Sequence, residues 1–220
     1  DVIVGAPKNN NSACSSSLSV HSKVKVKKIN DTHYMINGTP ADCVKIAVSA
    51  LCKKPPDIVI SGINAGANVG NNIIYSGTVS AATEGTMYNI SSIAISLASQ
   101  KSQDFDFSTE IARKVVKAVL KNGLPKGTLL NVNVPAIPPD KIKGIKITKQ
   151  GHVFFKDRFE KREDPRGRQY YWMTGEIVNP VNASDLDSSV LEDGYVSITP
   201  IHYELTNNNF LKPLNDWDFS

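Results

Sequence analysis

The chain has 220 residues, a formal net charge of +4, 40% hydrophobic and 21% charged residues, enough for one sizeable α/β domain of ordinary globular composition. So small a charge, with no concentrated basic stripe, argues against nucleic-acid binding, and no apolar run approaches the roughly 18 residues of a bilayer span. Cys14, Cys43 and Cys52 form no CxxC pair, and the four histidines show no HxxxH or HExxH spacing; this disfavours a disulfide scaffold and a histidine zinc site and fits a reducing cytoplasm.

The opening Asp1-Val2-Ile3-Val4-Gly5-Ala6-Pro7 is an apolar β-branched run without an initiator Met. It reads as a buried strand already under way, so a first strand and helix are expected upstream. A polar loop, Lys8 to Ser17, follows; then come half-exposed strands over Val20 to Ile29 and around Tyr34 to Ile36. Thr39-Pro40 starts a helix with a capping hydroxyl before a proline. Val44, Val48 and Leu51 recur along it at helical spacing, and Pro55-Pro56 stops it. Asp57-Ile58-Val59-Ile60 then reads as a strand at the centre of a parallel sheet.

A helix is expected over Val79 to Tyr88, a strand at Ile93 to Leu97, and a third helix through Ile111, Val115 and Val119 that ends at Gly123. Strands follow at Leu129 to Val134 and Ile145 to Thr148. This alternation predicts an α/β fold, a mostly parallel sheet covered by helices. Beyond about residue 149 the texture changes: Lys156 to Arg168 is dense in mixed charge, Tyr170-Tyr171-Trp172 is an aromatic cluster, and a strand at Gly194 to Thr199 precedes an Asn-rich tail. Residues 1–148 are therefore expected to form the core and 149–220 an extension.

The chemistry concentrates after the 57–60 strand. Ser61 to Asn72 spaces glycines as G-x-x-x-G-x-x-x-G, at the sheet edge where open α/β folds bind ligands. This is neither the dinucleotide G-x-G-x-x-G nor a P-loop, which would carry a Lys. Asn64 and Asn68 offer amide donors and neutral oxygens suited to a phosphate or a hard cation. Ser76-Gly77-Thr78 opens the next helix, where free N–H groups and the helix dipole favour an anion; plain capping by Ser76 or Thr78 is the competing reading. The loop holding Ser12 should emerge at the same edge, close to Asn64. Neutral oxygens alone hold a divalent cation poorly, so a carboxylate is wanted. Asp42 and Glu84 read as structural, and Asp57 begins its strand at the far end.

Several of these motifs together resemble the SurE family of survival-protein nucleotidases. They are Ala6-Pro7 with Ser12, Gly38-Thr39-Pro40-Ala41-Asp42, Ser61-Gly62-Ile63-Asn64-Ala65-Gly66 and Tyr75-Ser76-Gly77-Thr78 with Glu84-Gly85. Asn131-Val132-Asn133-Val134-Pro135, Asp164-Pro165-Arg166-Gly167 and Gly194-Tyr195-Val196-Ser197-Ile198-Thr199-Pro200 extend the resemblance over nearly the whole chain. The resemblance implies a Rossmann-like three-layer sandwich whose C-terminal hairpin and exchanged segment build homodimers or homotetramers. It implies a phosphatase acting on nucleoside 5′- and 3′-monophosphates, with short polyphosphate as a further substrate, and one divalent ion, Mn²⁺ or Mg²⁺. Ser12 and Asn64 would ligate the metal. Asn64, Ser76, Gly77 and Thr78 would hold the phosphate, and an Asp pair with the catalytic base would lie upstream of residue 1. Without that pair the chain is expected to be nearly inactive. The rival expectations are a non-catalytic phosphate-binding module and, more weakly, a purely structural oligomerisation protein.

Overall fold

The computed structural model describes residues 1–9, 13–101, 104–181 and 183–219. Three strands form a small sheet: β1 (Val4–Pro7) and β3 (His33–Asn37) run parallel, and β2 (Lys25–Lys28) pairs antiparallel to β3. From β3 the chain enters α1 (Pro40–Ile46), continued by a π-helical turn, Ala47–Leu51. β4 (Val59–Ala65), α2 (Gly77–Met87), β5 (Ser92–Leu97), α3 (Asp106–Asn122) and β6 (Thr128–Val134) then alternate as parallel strands and crossover helices. β7 (Ile145–Ile147) precedes a long hairpin of β8 (Phe154–Glu163) and β9 (Gln169–Val178); α4 (Asp187–Glu192), β10 (Val196–His202) and α5 (Asn208–Asn215) finish the chain. The second sheet has the order β4-β5-β6-β10-β7, with β10 antiparallel to β6.

β5, between β4 and β6, is an internal strand of that sheet and is buried along its whole length. Its side chains alternate between two helical layers, as the pleat requires. Ile93 and Ile95 join Val132 and Val134 of β6 and Ile111, Val115 and Val119 of α3. Ala94 faces the other way, with Leu129, against Val79 and Ala82 of α2 and Ile73 before it. The three apolar α3 positions read from the sequence are therefore the buried stripe of that helix, and the fold is the expected three-layer α/β sandwich.

Two strands differ from their sequence reading. The apolar run at 57–60 does not mark the sheet centre: β4 starts at Val59 and, among the described residues, pairs only with β5, leaving Ile60 50% exposed. β1 was expected to be buried, yet among the described residues it too is paired on one edge only, and most of it is exposed. Apolar runs report a preference for burial; they cannot report which edges find partners. In addition, β10 inserts between β6 and β7, so the segment after 149 contributes a strand to the core sheet. Its hairpin arm is closed by Asp164, whose carboxylate accepts the Arg166 and Arg168 amides and the Arg168 Nε–H.

α1 and α2 lie side by side. Lys45 Nζ donates to Glu84 Oε1 at 2.6 Å, and Ser49 meets the Tyr88 hydroxyl at 3.2 Å. Glu84 is thus structural, as read. Asp42 closes the start of α1 in a capping box. Its Oδ2 accepts the Thr39 N–H at 2.9 Å, the Thr39 hydroxyl accepts the Asp42 N–H at 3.1 Å, and Asp42 Oδ1 accepts the Ser19 N–H at 3.1 Å. Burial by itself would raise the Asp42 carboxyl, but the bonds from Ser19 and Thr39 outweigh it and hold the group below its ordinary value. A lowered folded pKa contributes stability that is full above the usual carboxylate range near about 4 and lost as pH falls through the folded value. Thr39→Ala removes the cap and a bond to the Ser17 carbonyl. It is expected to lower the free energy of unfolding by about 1 kcal/mol, read as a shift of the urea midpoint at unchanged slope.

Candidate functional site

The carboxyl end of β4 is irregular in a way that serves a site. Ser61 pairs with Ala94 and Asn64 with Ser96, so three steps along β4 match two along β5. Such a bulge bends the strand and re-aims the side chains beyond it. Gly62 carries the bend at φ +128°, and the Gly62–Ile63 peptide is cis. Asn64 emerges from it half-buried; its Nδ2 donates to the Gly66 carbonyl at 2.9 Å. Among the described residues its Oδ1 takes no hydrogen bond, so this oxygen can face a ligand.

The N-terminus of α2 comes to the same edge. Gly85, late in α2, packs so closely on Val59 and Ser92 that an added Cβ would lie 2.8 Å from Val59 Cβ. Those two residues begin β4 and β5, so α2 runs antiparallel to the strands and its first turn returns to their carboxyl ends. Ser76 caps it, accepting the Val79 N–H at 3.1 Å. The capping reading of Ser76 is therefore realised. It does not compete with anion binding, because the serine O–H and the first amides of the turn, Gly77 and Thr78, remain as donors. The fold thus gathers Asn64, Ser76, Gly77 and Thr78 at one edge.

The polar loop after β1 also reaches this place. Ser15 donates its amide to Tyr75 O at 3.1 Å and its hydroxyl to Ile74 O at 2.8 Å, and the Ser16 and Ser80 hydroxyls are 3.0 Å apart. Ser12, the expected metal ligand of that loop, lies outside the described residues.

Asn68, read as offering groups suited to a phosphate or a cation, also anchors the loop. It is buried, its Nδ2 donates to Ser96 Oγ at 2.8 Å, and its amide to Asn133 Oδ1 at 2.8 Å. Its carbonyl accepts the side-chain amides of Asn131 and Asn133, at 2.8 and 3.0 Å. Two asparagines on one face of β6 thus fasten the loop from beneath. Their polar alternation inside an apolar strand was the available signal.

Among the described residues no three His, Cys, Asp or Glu side chains gather as a metal site. Asp42 is engaged in its capping box, Glu84 with Lys45, and Asp187 with three main-chain amides. What remains at the edge is a set of neutral oxygens and N–H donors. This donor set suits a phosphate; alone it does not suit a hard divalent cation, which normally takes at least one carboxylate.

The family described as survival protein SurE matches residues 1–157. The chain is 45% identical to the protein named 5′-nucleotidase SurE of Syntrophobacter fumaroxidans, over 99% of this chain and 89% of that one. It is 42% identical to the protein of the same name from Heliobacterium modesticaldum, over 99% and 82% of the two chains. In fold it is similar to the crystal structure of the SurE protein from Aquifex aeolicus, with a TM-score of 0.85 at 41% identity, covering 97% of this chain and 87% of that one.

Proposed function

Because this chain belongs to the SurE family, we propose that it is a 5′-nucleotidase, a metal-dependent phosphatase that hydrolyses nucleoside 5′- and 3′-monophosphates, with short polyphosphate as a further substrate. The observation that carries this reading is the capped N-terminus of α2, brought beside Asn64 at the carboxyl edge of the sheet. The first amides of α2 and the Ser76 hydroxyl donate to the phosphoryl oxygens. Asn64 adds a side-chain amide, so charge gathering on the equatorial oxygens meets donors already in position.

A divalent cation, Mn²⁺ or Mg²⁺, supplies charge neutralisation and an acidified water when bound. Its neutral ligands are proposed to be Asn64 and Ser12, and its carboxylates an Asp pair on a further strand between β1 and β4. The open edges of β1 and β4 support that placement. α1 covers β1, where Gly5 approaches Cys43, and the neighbouring α2 covers β4. Packed helices lie about 8–10 Å apart and paired strands about 4.8 Å apart, so two adjacent helices span room for one strand between those beneath them. The protein is further proposed to be cytoplasmic and to form a homodimer or homotetramer through the hairpin arm, whose Phe159, Tyr171, Trp172, Met173 and Ile177 are exposed. No helix among the described residues is long and apolar enough to cross a membrane.

The test is phosphate release from a panel of nucleoside monophosphates by the full-length protein, with Mn²⁺, with Mg²⁺ and with chelator. Release that falls at least about a hundredfold on chelation is the expected result. Binding of nucleotide without turnover by folded, metal-loaded protein would replace the enzyme reading with that of a binding module.

A further inference from the structure

Asp187 is wholly buried at the start of α4, far in sequence from the site. Among the described residues its carboxylate forms no ion pair; it accepts three main-chain amides. Oδ2 takes the N–H of Gly70 at 2.9 Å, and Oδ1 takes those of Gly151 at 2.9 Å and Ser188 at 2.7 Å. Burial pushes this carboxyl up, while the three N–H groups favour its charged form.

Gly70 begins the 3₁₀ turn Gly70–Tyr75, which carries the chain from Asn68 to Ser76 and has no side-chain cap of its own. Asp187 therefore supplies from a distance the acceptor that a local cap would give. The next peptide, Gly70–Asn71, is gripped as well: Gln150 Nε2 donates to Gly70 O at 3.0 Å, and the Asn71 amide donates to Val153 O at 2.8 Å. Gly70 stands at φ +57°, and a Cβ there would lie 2.6 Å from Val153 N, so the backbones are in close contact.

We infer that Asp187 is a positioning residue of the site, whose carboxylate fixes the amide of Gly70 and through it the turn that delivers Ser76, Gly77 and Thr78 to the phosphate. This inference rests on the nucleotidase reading. Asn68 holds the start of the connection from below, through β6, and Asp187 holds the next turn from the side. With either hold released, the first turn of α2 remains helical but loses its registration against Asn64. Displacements of about 1 Å at a reacting centre can reduce rate about a hundredfold.

The experiment compares Asp187→Asn with Val190→Ala in the full-length protein, at a temperature well below both melting points. Asp187→Asn keeps the shape but turns one acceptor oxygen into a donor facing amides. Val190→Ala opens a cavity in the same short helix, at a side chain that is also fully buried. For Asp187→Asn the expected results are a fall in kcat/KM for a nucleoside monophosphate of about ten- to a hundredfold, and amide exchange across residues 69–75 at least about tenfold faster, with exchange in β5 and β6 unchanged. Val190→Ala should lower the melting temperature while kcat/KM stays within about twofold. Gln150→Ala, which releases the next peptide of the same turn, should loosen residues 69–75 in the same sense and stands in should Asp187→Asn fail to fold. Unchanged exchange at 69–75 would overturn the clamp. A loosened turn with unchanged kcat/KM, or an equal kinetic loss in Val190→Ala, would overturn its part in the site. Were the wild type inactive on every nucleotide, the nucleotidase reading would fail, while exchange would still decide whether Asp187 holds the turn.

Discussion

Asn64→Ala is expected to lower kcat/KM for a nucleoside monophosphate by about a hundredfold or more and to leave the melting temperature within a few degrees of wild type. The asymmetry follows from where Asn64 sits. It lies beyond the bulge of β4, half-buried, and among the described residues its side chain makes one hydrogen bond, from Nδ2 to Gly66 O. Truncation removes one local bond, a loss of roughly 1 kcal/mol to the fold. On the function proposed above it also removes a preorganised polar group from the phosphate site, and loss of one such group has cost about a hundred- to a thousandfold in other enzymes. Steady-state kinetics with saturating Mn²⁺, paired with a thermal melt, separates the two effects. A folded Asn64→Ala protein of undiminished kcat/KM would take Asn64 out of the site.

Gly62→Ala is expected to damage the fold itself, by roughly 3 kcal/mol or more. Gly62 stands at φ +128°, which L side chains rarely adopt, and an added Cβ would run into the Ile95 carbonyl of the adjoining strand. Neither partner can yield easily: Ile95 belongs to the fully buried β5, and its side chain is part of the α3-facing core. The relief available is a shift of β4 away from β5, which would carry Asn64 with it. Urea denaturation should show the loss of stability, and turnover should fall with it. A midpoint equal to wild type would mean that β4 tolerates the shift and that the bulge is looser than its contacts imply.

These two positions show how unevenly the molecule can be read from its residues. The glycine at 62 announced a tight backbone feature beside a ligand edge, and the structure places one there. What it does, passing a backbone under the carbonyl of the next strand, depends on β5 and was not legible locally. The N-terminus of α2 was readable because Ser76-Gly77-Thr78 is a local signal: a cap, then free amides. The anchoring part of Asn68 was not legible, for the opposite reason. A loop asparagine looks available until the asparagines of β6, more than sixty residues on, are found beneath it.

The periodicities alone established the α/β class, the three main helices and the buried stripe of Ile111, Val115 and Val119. They did so because a helix turns every 3.6 residues and a strand every two, whatever surrounds them. Partnership between distant segments was decided only by tertiary structure. Among the described residues it left β4 with one paired edge, inserted β10 between β6 and β7, and turned Asp187 toward Gly70, 117 residues away. Local preference is a property of neighbouring residues, whereas pairing is settled by which buried N–H and C=O groups remain to be satisfied once the whole chain has closed on itself.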